Sequence, residues 1–451
     1  MLEDTICAPA TPPINSTLAI IRISGPDTLG TVNRIFTRPE KILPRSACYG
    51  SIIDRDSILD DVILVYYPAP GSFTGEEMAE IFCHGNQIIV RGILNLLCGI
   101  GIRMAEPGEF SKRAFLSGKI DLTEAEAINH IITARSEWEI HTAISQMHGS
   151  MKKAVGDIRD RLLLFKSDIE ACIDFSDQDL EFINRSDAVK AAVEIKGMLT
   201  SLLKKCRIGE KLSHGIDITI TGKPNVGKSS ILNLILNQER AIVSDIPGTT
   251  RDVIREPIQI AGFHVNLLDT AGIAKPSDDI EKIGVGLSRK KINSAAIVLM
   301  VLDSTTGIEG YDSDLIKIIS GKQSVFIINK TDLTDESRVR GIIAELGRNA
   351  IAFSAKTGAG LEELEAAIAN ILKAEFVGHE NSFIADTRII TLLEKSRDGI
   401  SKIETLLGDG EPDEITAFEI QALLNTLGDI TGEITPDEIL DSIFSRFCIG
   451  K

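Results

Sequence analysis

The spacing of apolar residues changes character three times along the chain. Over residues 1 to about 118 the apolar runs are short. Leu18 to Ile23, Val62 to Tyr67 and Met78 to Phe82 predict strands, and Gln87 to Leu97 predicts a helix. Turn-forming clusters such as Pro68-Ala69-Pro70-Gly71-Ser72 separate them, so this segment reads as mixed α/β. From Asp121 to about Gly209 the period becomes helical. Asp121 or Thr123 can cap the first helix, with Glu124 and Glu126 in its first turn, and Leu162, Phe165, Ile169 and Ile173 share one face. No proline falls between Pro107 and Pro224, which suits long helices. Residues 216 to 375 alternate strand and helix, the pattern of a mostly parallel sheet. Residues 383 to 451 return to helix. For the last one, Thr435 is the predicted N-cap and Pro436 the first helical residue. Asp437 and Glu438 follow, and Ile439, Leu440, Ile443, Phe444 and Phe447 supply the apolar face. Such helices need a partner face. The simplest arrangement packs them against those of residues 121 to 209, with the α/β segment inserted between the two helical parts.

A chain of 451 residues is too long for one core, so two or three domains are expected. Apolar residues make up 43% and charged residues 25%, and the Met-Leu-Glu-Asp start has no features of a signal peptide. The longest apolar stretches, such as Ala295 to Leu302, are strand-sized, so no membrane span is expected. The seven cysteines are scattered and never spaced CxxC, which predicts reduced thiols in a cytoplasmic protein. The seven histidines, His141 and His148 included, show no metal-binding spacing. A net charge of −17 argues against a general nucleic-acid binder; an RNA substrate would need a restricted contact or a more basic partner.

The most informative chemistry begins where Ile216, Ile218 and Ile220 alternate with polar residues in a strand. That strand runs into Gly222-Lys223-Pro224-Asn225-Val226-Gly227-Lys228-Ser229, a GxxxxGK[ST] sequence, followed by a helix from Ser230 to Leu236. Glycines let backbone N–H groups turn inward around phosphate oxygens. Lys228 adds a positive charge at the β and γ phosphates, Ser229 offers a hydroxyl to Mg²⁺, and the helix N-terminus faces the same anion.

Further motifs follow in order, each at a strand end. Asp269-Thr270-Ala271-Gly272 follows Phe263 to Leu268; the aspartate can hold Mg²⁺ through water, and the Gly272 N–H can sense the γ-phosphate. Thr249 or Thr250, in Asp245-Ile246-Pro247-Gly248-Thr249-Thr250, sits where a switch threonine reaches Mg²⁺. Asn329-Lys330-Thr331-Asp332 ends the apolar strand Val325 to Ile328. The Asp332 carboxylate can accept from guanine N1–H and its exocyclic amine, whereas adenine would present a lone pair. Ser354-Ala355-Lys356 fits the loop that supports the base. Together these predict a GTP-hydrolysing domain. One position departs from Ras-like catalysis: Ile273 follows Gly272 where a water-orienting glutamine is expected, so another polar group and a charge-compensating arginine or cation are needed. Asp278, Asp279 and Glu281 lie in the following segment.

The P-loop through Ser230, the run Ser244-Asp245-Ile246-Pro247-Gly248-Thr249-Thr250-Arg251-Asp252 and the terminal Cys448-Ile449-Gly450-Lys451 resemble the MnmE (TrmE) family of tRNA modification GTPases, within the TrmE-Era-EngA-like P-loop GTPases. The resemblance extends to Ile20-Ile21-Arg22-Ile23-Ser24-Gly25, Phe73-Thr74-Gly75-Glu76, Pro107-Gly108-Glu109-Phe110 and Arg113-Ala114-Phe115-Leu116.

The resemblance implies an α/β and α multidomain chain. Residues 1–118 would be an N-terminal α/β folate-binding and dimerisation domain, and residues 119–211 and 376–451 two parts of a discontinuous helical domain. Residues 212–375 would be an inserted P-loop G domain with a mostly parallel sheet. It further implies a homodimer and a hetero-oligomer with an FAD-dependent partner (MnmG, or GidA). That complex would add a carboxymethylaminomethyl group at C5 of the wobble uridine in certain tRNAs. GTP, Mg²⁺, K⁺ and 5-formyltetrahydrofolate would be the cofactors. By motif, Ser229 and Thr250 would bind Mg²⁺, and Asn225, Ser244, Ile246 and Thr249 would bind K⁺. Glu281 would orient the attacking water, and Arg22, Glu80, Lys119 and Lys451 would surround the folate.

Two departures stand out. Ile14-Asn15-Ser16-Thr17-Leu18-Ala19 lacks the family's usual glycines, and Ala274 replaces a frequent arginine. Cys448 reads either as a reactive thiol beside the folate or as a small hydrophobe after Phe444 and Phe447. A competing reading, a ribosome-assembly GTPase, would carry a basic RNA-binding module after the G domain, where this tail is acidic to neutral.

Overall fold

The computed structural model describes residues 4–37, 41–174, 184–239, 255–269, 292, 294–347, 350–376, 382–433 and 437–450. The first strands are β1 (Ile6–Pro9), β2 (Leu18–Ser24), β3 (Phe36–Thr37), β4 (Ala47–Asp54), β5 (Ser57–Tyr67), β6 (Met78–His84) and β7 (Arg103–Met104). Among them run helices α1 (Thr28–Ile35), α2 (Gln87–Gly99) and, beyond β7, α3 (Glu109–Leu116). The strands form one sheet in the order β3-β4-β5-β6-β2-β1-β7. Its inner face holds Ile21, Ile23, Ile52, Leu64 and Ile81 against Val32 of α1 and Ile93 and Leu97 of α2. Because side chains alternate along a strand, burying Ile21 and Ile23 turns Arg22 to the other face, where it stands opposite Glu80. That face also carries the cross-strand row Tyr49, Ile63, Phe82 and Ile20, with Tyr49 70% and Ile63 44% exposed.

The helices that follow are α4 (Leu122–Thr133), α5 (Glu137–Met147), α6 (Ser150–Asp174) and α7 (Arg185–Ser213). Of the two capping candidates, Asp121 does the work. Its Oδ1 accepts from the Glu124 backbone N–H at 2.8 Å, and the Glu124 carboxylate returns to the Asp121 N–H at 2.8 Å. Thr123 donates to the Asp121 carboxylate from inside the helix.

The sheet of the second region comprises β8 (Ile216–Thr221), β9 (Arg255–Ile260), β10 (Phe263–Asp269), β11 (Ile297–Asp303), β12 (Gln323–Asn329) and β13 (Ala350–Ala352). Its helices are α8 (Lys228–Glu239), α9 (Gly310–Ile318), α10 (Glu336–Leu346) and α11 (Leu361–Phe376). The strand order is β13-β12-β11-β8-β10-β9, parallel throughout except for β9 against β10. Helices cover both faces, so Thr219 and Thr221 of β8 are buried as well as its isoleucines. The chain leaves β8 for one side of the sheet and later fills the other. The carboxyl end of β8 is therefore the switch point where such sheets bind ligands.

The chain closes with α12 (Thr387–Asp409), α13 (Asp413–Thr431) and α14 (Asp437–Phe444). Contacts divide it into two compact units: Met1–Thr133 with Ala143–Leu203 and Thr387–Lys451, and Ala134–Thr142 with Lys204–Asp386. In the first unit, α13 packs along α6 and α12, with Leu162, Phe165 and Ile169 buried. Leu440, Ile443, Phe444 and Phe447 cluster with Leu122 and Ala125. Ile439, expected on that apolar face, stays exposed in the first turn of α14. The expected caps Thr435 and Pro436 lie outside the described residues.

One buried ion pair joins the two helical segments of this unit. Arg388 of α12 meets both carboxylate oxygens of Glu126 in α4 at 2.9 and 3.0 Å, and Glu126 is 9% exposed. Glu126→Ala would leave a partly buried guanidinium, 18% exposed, without its counter-charge but still donating to the Asp429 and Ile430 carbonyls. The expected loss is about 1.5 to 3 kcal/mol, the scale of hydrogen bonds to a charged group, read as an earlier urea transition by far-UV dichroism; an unmoved midpoint would mean the pair contributes nothing.

Candidate nucleotide site

β8 delivers the chain into a turn that only small residues can follow. Gly222 has φ +143°, and a Cβ there would lie 2.3 Å from the Val301 carbonyl oxygen. Gly227 has φ +99°, and its Cβ would lie 2.2 Å from the Asn329 side-chain nitrogen. Asn225 between them adopts φ +64°. Lys228, 7% exposed, folds its ammonium over the loop, donating to the carbonyls of Gly222 at 2.9 Å and Lys223 at 2.6 Å. Ser229 and Ser230 are exposed in the first turn of α8, beside the donors that a helix start leaves free.

The close approach at Gly227 has a purpose. Asn329 donates to the Val226 carbonyl at 2.7 Å and accepts from the Ala355 N–H at 3.0 Å. One buried amide thus ties the phosphate loop to the Ser354-Ala355-Lys356 loop. Ser354 Oγ donates to Asp332 Oδ1 at 2.8 Å, fixing a carboxylate that is exposed in a short 3₁₀ turn, Thr331–Leu333. Thr331 donates both its N–H and its hydroxyl to the Phe353 carbonyl.

The sequence gives no motif for two further contacts. Lys330 ion-pairs with Asp303, which ends β11, at 2.6 Å. Burial works to raise the Asp303 carboxyl, but donors from Lys330 and Thr305 outweigh it and hold the pKa below the ordinary value. Stability from this pair is therefore present at neutral pH and lost as the pH falls through the depressed value. Lys223 of the phosphate loop sits between Glu309 and the buried Asp312, the latter at 2.9 Å. Only the fold, not a short motif, brings residues 303–312 beside both lysines.

Several expected site residues lie outside the described residues: Ser244 through Thr250, Thr270, Ala271, Gly272, Ile273, Ala274, Asp278, Asp279, Glu281 and Lys451. Asp269 ends β10 in the backbone.

A second site lies on the outer face of the first sheet. Arg22 Nε donates to Glu80 Oε1 at 2.8 Å, and the Tyr67 hydroxyl reaches the other Glu80 oxygen at 3.4 Å. Arg22 also lies 6.0 Å from the Phe73 ring centre and donates to the Gly450 carbonyl at 3.1 Å, so the segment after α14 reaches it. Arg22, Tyr67, Gly71, Ser72, Phe73, Met78, Glu80 and Ile128 line a cavity of about 300 Å³. Lys119 is not in that lining; its ammonium bonds the Pro70 carbonyl at 3.1 Å, one residue away from Gly71. Cys448 is exposed, which removes the reading of it as a buried small hydrophobe. Burial pushes the Cys7 and Cys206 thiols up to about 12 and Cys83 up to about 11, so these stay protonated at neutral pH.

The motifs without chemistry of their own support this cavity. Arg113, 1% exposed, binds Asp4, Glu76 and Glu109. Glu76 and Thr74 accept or share hydrogen bonds with Ser24 at the end of β2. Gly108 has φ +68°, and a Cβ there would meet the Phe444 carbonyl at 2.4 Å. The Phe-Thr-Gly-Glu, Pro-Gly-Glu-Phe and Arg-Ala-Phe-Leu stretches are one framework behind the Phe73 wall.

A parallel sheet with a glycine loop and helix at its switch point, bolted by Asn329 to an aspartate corner, defines a P-loop domain of the GTPase class. A model described as the MnmE helical domain matches residues 122–448, and one described as the GTP-binding protein TrmE N-terminus matches residues 5–119. The tRNA modification GTPase MnmE of Thermotoga maritima is 39% identical over 451 residues, covering 99% of this chain and 100% of its own. Those of Aquifex aeolicus and Carboxydothermus hydrogenoformans are 38% identical over 100% of both chains. The chain belongs to the MnmE family of tRNA modification GTPases.

Proposed function

We propose that this chain binds and hydrolyses GTP with Mg²⁺ and K⁺ and couples turnover to modification of wobble uridine at C5 in certain tRNAs. It would act as a cytoplasmic homodimer with an FAD-carrying partner of the MnmG type and a tetrahydrofolate one-carbon carrier. The observation that carries the GTP reading is the Asn329 amide, which holds the phosphate loop and the base loop in one frame. In this reading Lys228 neutralises phosphate charge, Ser229 gives Mg²⁺ a hydroxyl, and Asp332 reads the guanine edge. Thr250 and the Asp269 carboxylate would complete the Mg²⁺ site, and Asn225 with Ser244, Ile246 and Thr249 the K⁺ site.

The folate reading is supported by the outer-sheet cavity. Its volume of about 300 Å³ is at the lower end of the range for small-ligand pockets. Glu80 offers the acceptors a pterin edge requires, Phe73 an aromatic wall, and Arg22 a counter-charge for a carboxylate. The exposed row of Tyr49 and Ile63 beside it supports self-association through this sheet. Among the described residues no helix is long and apolar enough to cross a membrane.

Loss of the gene should remove the modified wobble uridine from tRNA by nucleoside mass spectrometry, and the wild-type gene should restore it. An unchanged nucleoside profile with altered ribosome profiles would favour the assembly-factor reading. For the folate, Glu80→Ala and deletion of Lys451 should each weaken 5-formyltetrahydrofolate binding at least about tenfold, as expected for loss of a charge-assisted hydrogen bond, with GTP affinity unaltered. Calorimetry gives both constants, and full folate affinity in both variants would empty this cavity of that role.

A further inference from the structure

We propose that Asp303 is a positioning residue for nucleotide binding, acting through Lys330. The inference rests on the nucleotide-site reading above and extends it to a residue outside the motifs. Asp303 and Asn329 end adjacent parallel strands and stand opposite each other in register. Lys330, one residue beyond, adopts φ +64° and sends its ammonium back to Asp303 Oδ2 at 2.6 Å. The other carboxylate oxygen accepts from the Thr305 N–H at 2.8 Å and its hydroxyl at 2.7 Å. The carboxylate is thereby fixed on both sides, and it is only 10% exposed.

The backbone there is held separately. Ser304 donates its N–H to the Asn329 carbonyl and its hydroxyl to the Lys330 carbonyl, each at 2.9 Å. The ion pair is therefore not needed to shape the loop; what it adds is a fixed direction for the Lys330 side chain. With the head tied to Asp303, the methylene stem spans the carboxyl ends of β11 and β12, at the ligand-binding edge of the sheet. A lysine stem is an apolar surface suited to the flat face of a purine between Asn329 and Asp332. Holding it in place beforehand removes the ordering cost at binding. The base and ribose are common to GDP and GTP, so the effect should be equal for both nucleotides and absent from the chemical step.

The full-length protein with Asp303→Asn should bind GDP and GTP about tenfold more weakly, by the same factor, as measured with calorimetry. In steady-state hydrolysis the change should fall on KM and not on kcat. Asp303→Glu should recover part of the affinity. In a Lys330→Ala background, Asp303→Asn should have no further effect, since the group it positions is gone. An equal loss in both backgrounds would make Asp303 a structural residue and overturn the proposal. So would unchanged affinities, or a loss confined to GTP. Asp332→Asn separates this from failure of the underlying reading. If Asp332→Asn alters base preference while Asp303→Asn has no effect, only the present inference fails; if Asp332→Asn leaves base preference untouched, the site itself is misassigned.

Discussion

Asp332→Asn is expected to weaken GTP binding by about 10² to 10⁴ and to turn the site toward xanthine nucleotides. The magnitude follows from two hydrogen bonds to a charged acceptor at roughly 1.5 to 3 kcal/mol each. In the substituted side chain an amide N–H₂ would face the N–H groups of guanine, so the loss includes unpaired donors as well as missing bonds. Xanthine carries a carbonyl where guanine has its exocyclic amine, and the new amide can donate to it. The geometry bears on the outcome, because Ser354 holds Asp332 Oδ1 at 2.8 Å. An asparagine that keeps its oxygen toward Ser354 must present its nitrogen to the base. Competition binding of GTP and XTP against labelled GDP tests the point. Unchanged GTP affinity would take Asp332 out of the site.

How much of this was legible in the sequence differs between the two regions. The parallel sheet was readable because both faces of its strands are covered, giving apolar runs such as Ala295 to Leu302 and Val325 to Ile328. The phosphate loop was readable because glycine, lysine and serine have to fall at fixed spacing. The first sheet was only half readable. β2, β5 and β6 follow their apolar runs, although β5 begins at Ser57, ahead of Val62, where Ile58 is exposed. β1 and β4 carried no signal: Ile6–Pro9 is too short for a pattern, and Ala47–Asp54 interrupts its apolar residues with Gly50 and Ser51. α2 follows its expected start, with Asn86 capping it through the Ile88 N–H at 2.8 Å. Long-range polar contacts were the least visible. Nothing local to Asp303 marks it as the partner of Lys330, nor Arg113 as the brace of the Phe73 loop. Each depends on two strands or helices meeting from distant parts of the chain.

Hydrolysis is expected to rise steeply with K⁺ and little with Na⁺, together with GTP-dependent pairing of G domains. Lys228 is the phosphate loop's only cation directed at its own carbonyl ring, since Lys223 is held by Glu309 and Asp312. Ile273, in the residue position that often orients water, has no polar atom beyond its backbone. Phosphoryl transfer spreads negative charge between the β and γ phosphates, and a cation or arginine supplied there is worth about 10³ to 10⁵ in rate. Asn225 stands exposed at φ +64° at the lip of the loop, with a side-chain oxygen available to a cation of K⁺ size. Ser244, Ile246 and Thr249 would add oxygens, and Glu281 would orient the water in place of the missing glutamine. Asn225→Ala should therefore abolish the difference between K⁺ and Na⁺. Glu281→Ala should retain nucleotide binding and K⁺-driven pairing while turnover drops by about 10² or more, the scale of losing a positioned general base. Phosphate release at matched ionic strength, run alongside light scattering for pairing, separates the two roles. Equal rates in Na⁺ and K⁺, or an active Glu281→Ala enzyme, would overturn this mechanism and leave the nucleotide site standing.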